Sequence, residues 1–160
     1  MSTYRWVESE VPQGLEIRQA YGFIFNPDGR ILLLEDEGQY NLPGGKPEMG
    51  ESLAETLVRE AEEEVQVTIS SIAYLGYQLI EEDEKFAQVR LVALVDETRR
   101  AAIDPSTWRQ YMRLWVPPIH ANDLLGWGES GRQQIASAIN AALMFGVNWD
   151  GSPHEYLEIN

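Results

Sequence analysis

No cysteine occurs in the sequence, which excludes a disulfide framework, a thiolate zinc site and a cysteine nucleophile. No apolar run approaches the roughly 20 residues that a membrane-spanning helix needs. The first ten residues, MSTYRWVESE, lack the apolar stretch of a secretory signal. The expectation is a cytoplasmic protein without a membrane partner. Positive charge is scarce too: 12 Lys and Arg stand against 26 Asp and Glu, a formal net charge of −14. Nucleic-acid polymers and anionic lipids attract clustered Lys and Arg, so neither is an expected partner. A polyanionic substrate would need a divalent cation to mediate. Linkers rich in Gly and Ser, low-complexity tracts and internal repeats are absent as well, so residues 1–160 are expected to form a single domain.

What is present is an ordinary globular balance, with 44% hydrophobic and 24% charged residues. Leu15 to Asn26 reads as a strand, and Asn26-Pro27-Asp28-Gly29 as a turn in which Pro presets φ and Gly tolerates positive φ. Arg30 to Glu35 continues as a second strand, so the pair reads as a hairpin. Pro43-Gly44-Gly45-Lys46-Pro47 reads as a tight loop outside any regular element. Ser52 followed by Glu55 is a capping-box pattern that starts a helix running to about Val65. Val67 to Ile80 and Phe86 to Val95 are rich in strand formers and flank the acidic run Glu81 to Glu84, read as an exposed hairpin loop. Tyr111 to Val116 is a further strand, stopped by Pro117-Pro118. Arg132 to Phe145 reads as a second helix, and the tail after Gly146 as irregular. Strands, helix, strands, helix is the order of an α+β or α/β/α sandwich.

The chemistry concentrates in GKPEMGESLAETLVREAEEEVQV, Gly45 to Val67. At 100° per residue, Leu53, Ala54, Leu57, Val58, Ala61 and Val65 share one broad apolar face. Glu60, Glu63 and Glu64 fall together beside it at spacings i, i+3 and i+4, while Glu55 and Glu62 point toward solvent. Like charges at i, i+4 destabilise a helix by roughly 0.2–0.5 kcal/mol. They also sit near the C-terminal half, where the helix dipole disfavours anions. Arg59 is the only basic residue of the helix. Convergent carboxylates without counter-charge suit a hard cation such as Mg²⁺ or Mn²⁺. Helix geometry alone leaves a metal site and a plain solvated acidic face equally open.

The full spacing closely resembles the signature of the Nudix hydrolase family, G-x5-E-x7-R-E-U-x-E-E-x-G-U, where U is a bulky aliphatic residue. Gly45, Glu51, Arg59, Glu60, Glu63, Glu64 and Val67 match it. Ala61 is a small substitute at the first U, and Gln66 stands in place of the glycine. The resemblance extends from about residue 15 to 145 through Arg18, the Pro-Asp-Gly turn, Leu42-Pro43-Gly44-Gly45 and Leu114 to Leu125. It implies a Nudix-type α/β/α sandwich with a mixed sheet and a loop–helix–loop catalytic motif. The implied activity is metal-dependent hydrolysis of a phosphoanhydride bond in a nucleoside di- or triphosphate. The products would be a nucleoside monophosphate with phosphate or pyrophosphate.

By the same resemblance, Glu60, Glu64 and the Gly45 carbonyl would hold Mg²⁺ or Mn²⁺, and Glu63 would be a further ligand or a base. Arg59 would orient Glu60 with help from Glu51. Asp96 and Glu97, following Leu91 to Val95, are candidates for a separate base. Arg18, Lys46 and Arg90 are candidate phosphate contacts, and Tyr40 is a candidate stacking surface for a nucleobase. His120 and His154 have no ligand spacing and no assigned role. A nucleoside-diphosphate sugar or dinucleoside polyphosphate hydrolase is the alternative enzyme. A non-catalytic nucleotide-sensing module is the alternative of another class, although such a module would be expected to lose box carboxylates that are present here. Isopentenyl diphosphate isomerase, a relative in the fold, relies on a cysteine that this chain lacks. A homodimer is common among relatives. For Gln66, whose Cβ penalises the left-handed helix cap that glycine makes there, the flanking Val65 and Val67 predict an extended exit instead.

Overall fold

A computed structural model describes residues 2–148 and 155–159, which leaves His154 and most of the tail outside the described residues. Its strands are β1 (Thr3–Val7), β2 (Glu16–Phe25), β3 (Ile31–Asp36), β4 (Gln39–Asn41), β5 (Gly44–Gly45), β6 (Val67–Glu81), β7 (Lys85–Thr98), β8 (Met112–Val116) and β9 (Leu157–Ile159). The helices are α1 (Leu53–Val65), α2 (Pro118–Leu125) and α3 (Gly128–Met144). Among the described residues the strands form one sheet in the order β1-β6-β7-β2-β3-β8-β9, with β4 on β3 and β5 on β2. β2 runs parallel to β7 and the other pairs are antiparallel, so the sheet is mixed.

Alternation along the strands builds two cores, one on each face. Ala20 and Ile24 of β2, Leu32 and Leu34 of β3, and Ala87, Val89 and Leu91 of β7 pack with Leu57, Ala61 and Val65 of α1. Their neighbours Phe23, Phe25, Ile31, Leu33 and Val92 pack on the other side with Ala121 and Leu125 of α2 and Ile135 and Ala138 of α3. Helices on both faces of a mixed sheet make the α/β/α sandwich that the sequence predicts. The close seating of α1 depends on Gly22, where a Cβ would fall 2.5 Å from a Leu57 methyl group. Val58, placed on the apolar face by the helical wheel, is 37% exposed, because the buried stripe is the narrower one through Thr56, Leu57, Ala61 and Val65.

Four further expectations are corrected. The β2–β3 hairpin is paired only at its root, Phe25 with Ile31, because β2 continues against β7 and β3 against β8. The segment read as a loop contains β5, where Gly44 and Gly45 pair with Tyr21 and Ala20. A Cβ on Gly44 would strike the β2 backbone, so the pairing requires that glycine, while a Cβ on Gly45 would meet the Glu60 carboxylate. Pro117-Pro118 ends β8 but also opens α2, since Pro at the first helical position sacrifices no hydrogen bond. The tail supplies β9, which pairs with β8. No helix among the described residues is long and apolar enough to cross a membrane.

Candidate active site

The site is assembled by α1 and the strand that precedes it. Ser52 caps α1: its hydroxyl accepts the Glu55 N–H at 3.1 Å, and the Glu55 carboxylate accepts the Ser52 N–H at 3.0 Å. Such a cap stabilises a helix start by about 1 kcal/mol and here fixes where the register begins. From that start Arg59, Glu60, Glu63 and Glu64 are turned toward β5. Glu62 is turned away, where it meets Arg99 at 3.5 Å in the open.

Arg59 is the hub of the cluster. Its Nε and Nη2 donate to the two oxygens of Glu51 at 2.7 and 3.0 Å, a bidentate fork that a lysine could not reproduce. Its Nη1 donates to Glu60 at 3.0 Å and to Glu63 at 3.3 Å, and Nη2 also reaches the Lys46 carbonyl at 3.1 Å. The guanidinium, with the Glu48 N–H, holds the Glu51 carboxyl down to about 2. Glu51 is therefore a fixed anion that orients Arg59, which in turn orients Glu60.

Glu60 and Glu64 have the opposite electrostatics. Burial pushes the Glu60 carboxyl up, against the pull of Arg59. Burial pushes Glu64 up to about 8, assisted by the charges of Glu60, Asp104 and Glu63 and only partly countered by the Gly44 N–H, which donates to it at 2.8 Å. Two desolvated carboxylates facing like charges are a place where a cation is welcome.

The donors are hard oxygens, as Mg²⁺ and Mn²⁺ prefer. The main chain leaves room beside them: a Cβ on Gly45 would lie 2.5 Å from a Glu60 oxygen, in space that only glycine keeps free. As they stand, no three acidic or histidine side chains among the described residues are grouped to enclose an ion. The reason is visible at Glu63, whose carboxylate is held by Arg59 and by the Ser106 hydroxyl at 3.1 Å. Glu60, Glu64 and Gly45 thus fit a divalent cation in chemistry and clearance, and Glu63 would have to exchange a partner to join them.

Other predicted residues scatter. Glu64 and Tyr40 line one cavity of about 450 Å³, together with Asp36, Glu37, Asn41 and Tyr111. Arg18 sits at a bulge in β2, paired with Glu16 and Glu84 and stacked 4.1 Å from the centroid of the Phe86 ring. Lys46 is exposed. Asp96 and Glu97 lie within β7 rather than beyond it. Both are exposed, Glu97 is 3.7 Å from Arg99, and neither hydrogen-bonds to the acidic cluster. The run Glu81 to Glu84 is the turn between β6 and β7. Arg90 is 4% exposed and lines a second cavity of about 500 Å³ under α3, which shares Asn41 with the first.

Sequence reasoning missed the loop between β7 and β8, whose buried Asp104 faces Glu60 and Glu64 and whose Ser106 holds Glu63. No local pattern flags it, because the loop reaches the site only through long-range packing. It also misread Gln66, which does adopt the left-handed conformation at φ 50° and ψ 45°. The strain is offset by bonds that glycine could not make. The Gln66 amide donates to the Glu63 carbonyl at 3.0 Å and accepts the Ala102 N–H at 3.2 Å.

The NUDIX domain family matches residues 16–137, most of the chain. No curated protein matches the chain in sequence. Among solved structures, a mutant of the Bacillus subtilis pyrophosphohydrolase BsRppH is similar at a TM-score of 0.56 and 22% identity, over 63% of this chain and 65% of that one. A MutT protein described for Aliivibrio salmonicida and Vibrio cholerae is similar at 0.57 and 21%, over 78% and 96% of the two chains. The C. elegans Ap4A hydrolase is similar at 0.54 and 18%, over 81% and 99%. These likenesses show a common fold. The box residues, the sandwich that presents them and the family match over residues 16–137 together mean that this chain belongs to the Nudix family.

Proposed function

We propose that the protein hydrolyses a phosphoanhydride bond of a nucleoside di- or triphosphate with the help of Mg²⁺ or Mn²⁺, releasing a nucleoside monophosphate with phosphate or pyrophosphate. The observation that carries this reading is the contrast around Arg59: Glu51 is held charged by a bidentate fork, while Glu60 shares one Arg59 nitrogen with Glu63 and the half-buried Glu64 has no cationic partner among the described residues. A divalent ion held by Glu60, Glu64 and the Gly45 carbonyl would neutralise phosphate charge and lower the pKa of an attacking water. Arg59 and Glu51 keep the Glu60 carboxylate aimed at that position. Glu64 would serve as a ligand in its deprotonated form, and the Gly44 N–H steadies one of its oxygens. Glu63, held between Arg59 and Ser106, is the nearest further ligand or base. Asp96 and Glu97 have no contact that supports a role. The Tyr40 side of the acidic cavity is where the phosphate chain would enter.

A hydrolysis screen over nucleoside di- and triphosphates, sugar nucleotides and dinucleoside polyphosphates tests the reading, with Mg²⁺, Mn²⁺ and chelator compared. The expected outcome is turnover of free nucleotides with either metal and none with chelator. Turnover of sugar nucleotides or dinucleoside polyphosphates alone would replace the substrate class. Metal-independent turnover would overturn the mechanism.

A further inference from the structure

We infer that the cavity beneath α3 is a base pocket that selects a 6-oxopurine, guanine or hypoxanthine, over adenine. The inference rests on the nucleotide reading of the acidic site and assigns the part of the substrate that the box cannot specify. At about 500 Å³ the cavity is of the size that holds a nucleoside rather than a lone phosphate. It shares Asn41 with the Glu64 cavity, so a base here and a phosphate chain there would be neighbours in one bound molecule.

The selectivity follows from hydrogen-bond polarity. Arg90 can only donate. Its Nε points at Gln134 of α3, 2.9 Å away, so Gln134 must present its oxygen there. The Gln134 amide nitrogen then donates to the Gln78 oxygen and to the Ser130 hydroxyl, each at 3.0 Å. The Ser130 hydroxyl donates in turn to the same Gln78 oxygen, also at 3.0 Å. Each oxygen of this chain already accepts at least one bond, the Gln78 oxygen two, and the Gln78 NH₂ has no partner among the described residues. Asn41 repeats the pattern: its oxygen accepts the Leu42 N–H at 2.9 Å, which leaves its NH₂ free.

Arg90 itself is unfinished. Nη1 is buried with no hydrogen-bond partner, and Nη2 has only a 3.4 Å approach to Gln88. Among the described residues no carboxylate pairs with it. Tyr21 and Trp127 hold the guanidinium instead, their ring centroids 5.3 and 4.9 Å away. The pocket therefore offers the Arg90 guanidinium, amide donors and aromatic surface, with the Gln88 oxygen and the tyrosine hydroxyls as its weaker acceptors.

A ligand that fits must present adjacent acceptors on a flat ring. The O6 and N7 edge of guanine or hypoxanthine does so, and arginine matches that pair with two parallel bonds. Adenine places an amino donor at position 6, facing donors that would stay unpaired.

Calorimetric titration of the metal-free protein in chelator, with GMP, IMP, AMP and 7-deaza-GMP, reads the pocket without any chemistry. GMP and IMP are expected to bind at least about tenfold tighter than AMP, and 7-deaza-GMP, which lacks the N7 acceptor, to fall to the level of AMP. Arg90→Gln is expected to erase the preference. Gln78→Glu keeps the bonds that Gln78 accepts and puts an acceptor where its free NH₂ stood, so it should raise AMP to the level of GMP. Equal binding of GMP and AMP by the wild type, binding of neither, or a guanine preference that survives both substitutions overturns the inference. Failure of the nucleotide reading looks different: the preference among monophosphates holds while no nucleoside di- or triphosphate is hydrolysed.

Discussion

Two cavities meet at Asn41, and they treat charge in opposite ways. On the α1 side, Glu60 and Glu64 are half-buried carboxyls facing like-charged neighbours, with Arg59 on Glu60 alone. On the α3 side, Arg90 is a buried cation with no carboxylate, surrounded by amides whose oxygens are already taken. Each carries a desolvation cost that its internal partners only partly repay, and such costs persist where a ligand supplies the missing charge or acceptor. The first arrangement suits a cation and phosphates. The second suits a neutral ring with an acceptor edge. On the functions proposed above, the first cavity would carry the reaction and the second would choose what is brought to it.

The sharpest way to break that division is to strike the first cavity alone. Glu64→Gln keeps the shape and removes the charge, and is expected to cost at least about 10²-fold in kcat. Glu62→Gln, on the exposed side against Arg99, is expected to stay near the wild type. Equal losses in steady-state assays of the two would dissolve the distinction.

Next in size is the pH dependence of the metal-free protein. The Glu64 carboxyl ordinarily titrates near 4.5 and is held at about 8 in the fold. Between those values the folded protein keeps a proton that the unfolded chain has lost. Its contribution to stability is therefore full below about pH 4.5 and falls as the pH rises toward 8, by up to about 1.4 kcal/mol per pH unit. Glu60, also pushed up, works in the same direction. Urea unfolding in chelator at pH 5 and pH 8 measures the decline, and Glu64→Gln should flatten most of it. A stability that rises across this range would contradict the burial of Glu64.

Arg59→Lys should be smaller, about 10- to 100-fold in kcat with little change in KM. A lysine keeps the charge but loses the fork to Glu51 and with it the aim of Glu60. A matching loss in KM alone would instead assign Arg59 to substrate binding.

The smallest effect belongs to Gln66. Gln66→Ala keeps the left-handed strain and loses two side-chain hydrogen bonds, whereas Gln66→Gly loses the bonds and relieves the strain. The glycine variant should be the more stable of the two by about 1 kcal/mol in thermal or denaturant unfolding. An alanine variant as stable as glycine would mean that the cap carries no strain.

The two cavities also differ in how legible they were. The acidic one is encoded locally: capping box, helical spacing and box residues all fall within Gly45 to Val67, so the sequence alone predicts α1 and the orientation of Glu60, Glu63 and Glu64. The other is assembled from β6, β7, α3 and the loop before α3, and Arg90 reads as a candidate phosphate contact until Gln134 is found beside it. Short elements were lost for a related reason. β1, β5 and β9 owe their existence to a partner strand distant in sequence, and Gly44-Gly45 carries no strand propensity of its own. Gln66 was misjudged because its compensation lies in the Ala102 N–H, 36 residues away.

The most direct test of the central claim, that Glu64 and Glu60 form a cation site distinct from the Arg90 pocket, is a Mn²⁺ titration followed by electron paramagnetic resonance. The wild type, Glu62→Gln and Arg90→Gln are expected to bind the ion equally, and Glu64→Gln at least about tenfold more weakly. Undiminished Mn²⁺ binding by Glu64→Gln would contradict the account.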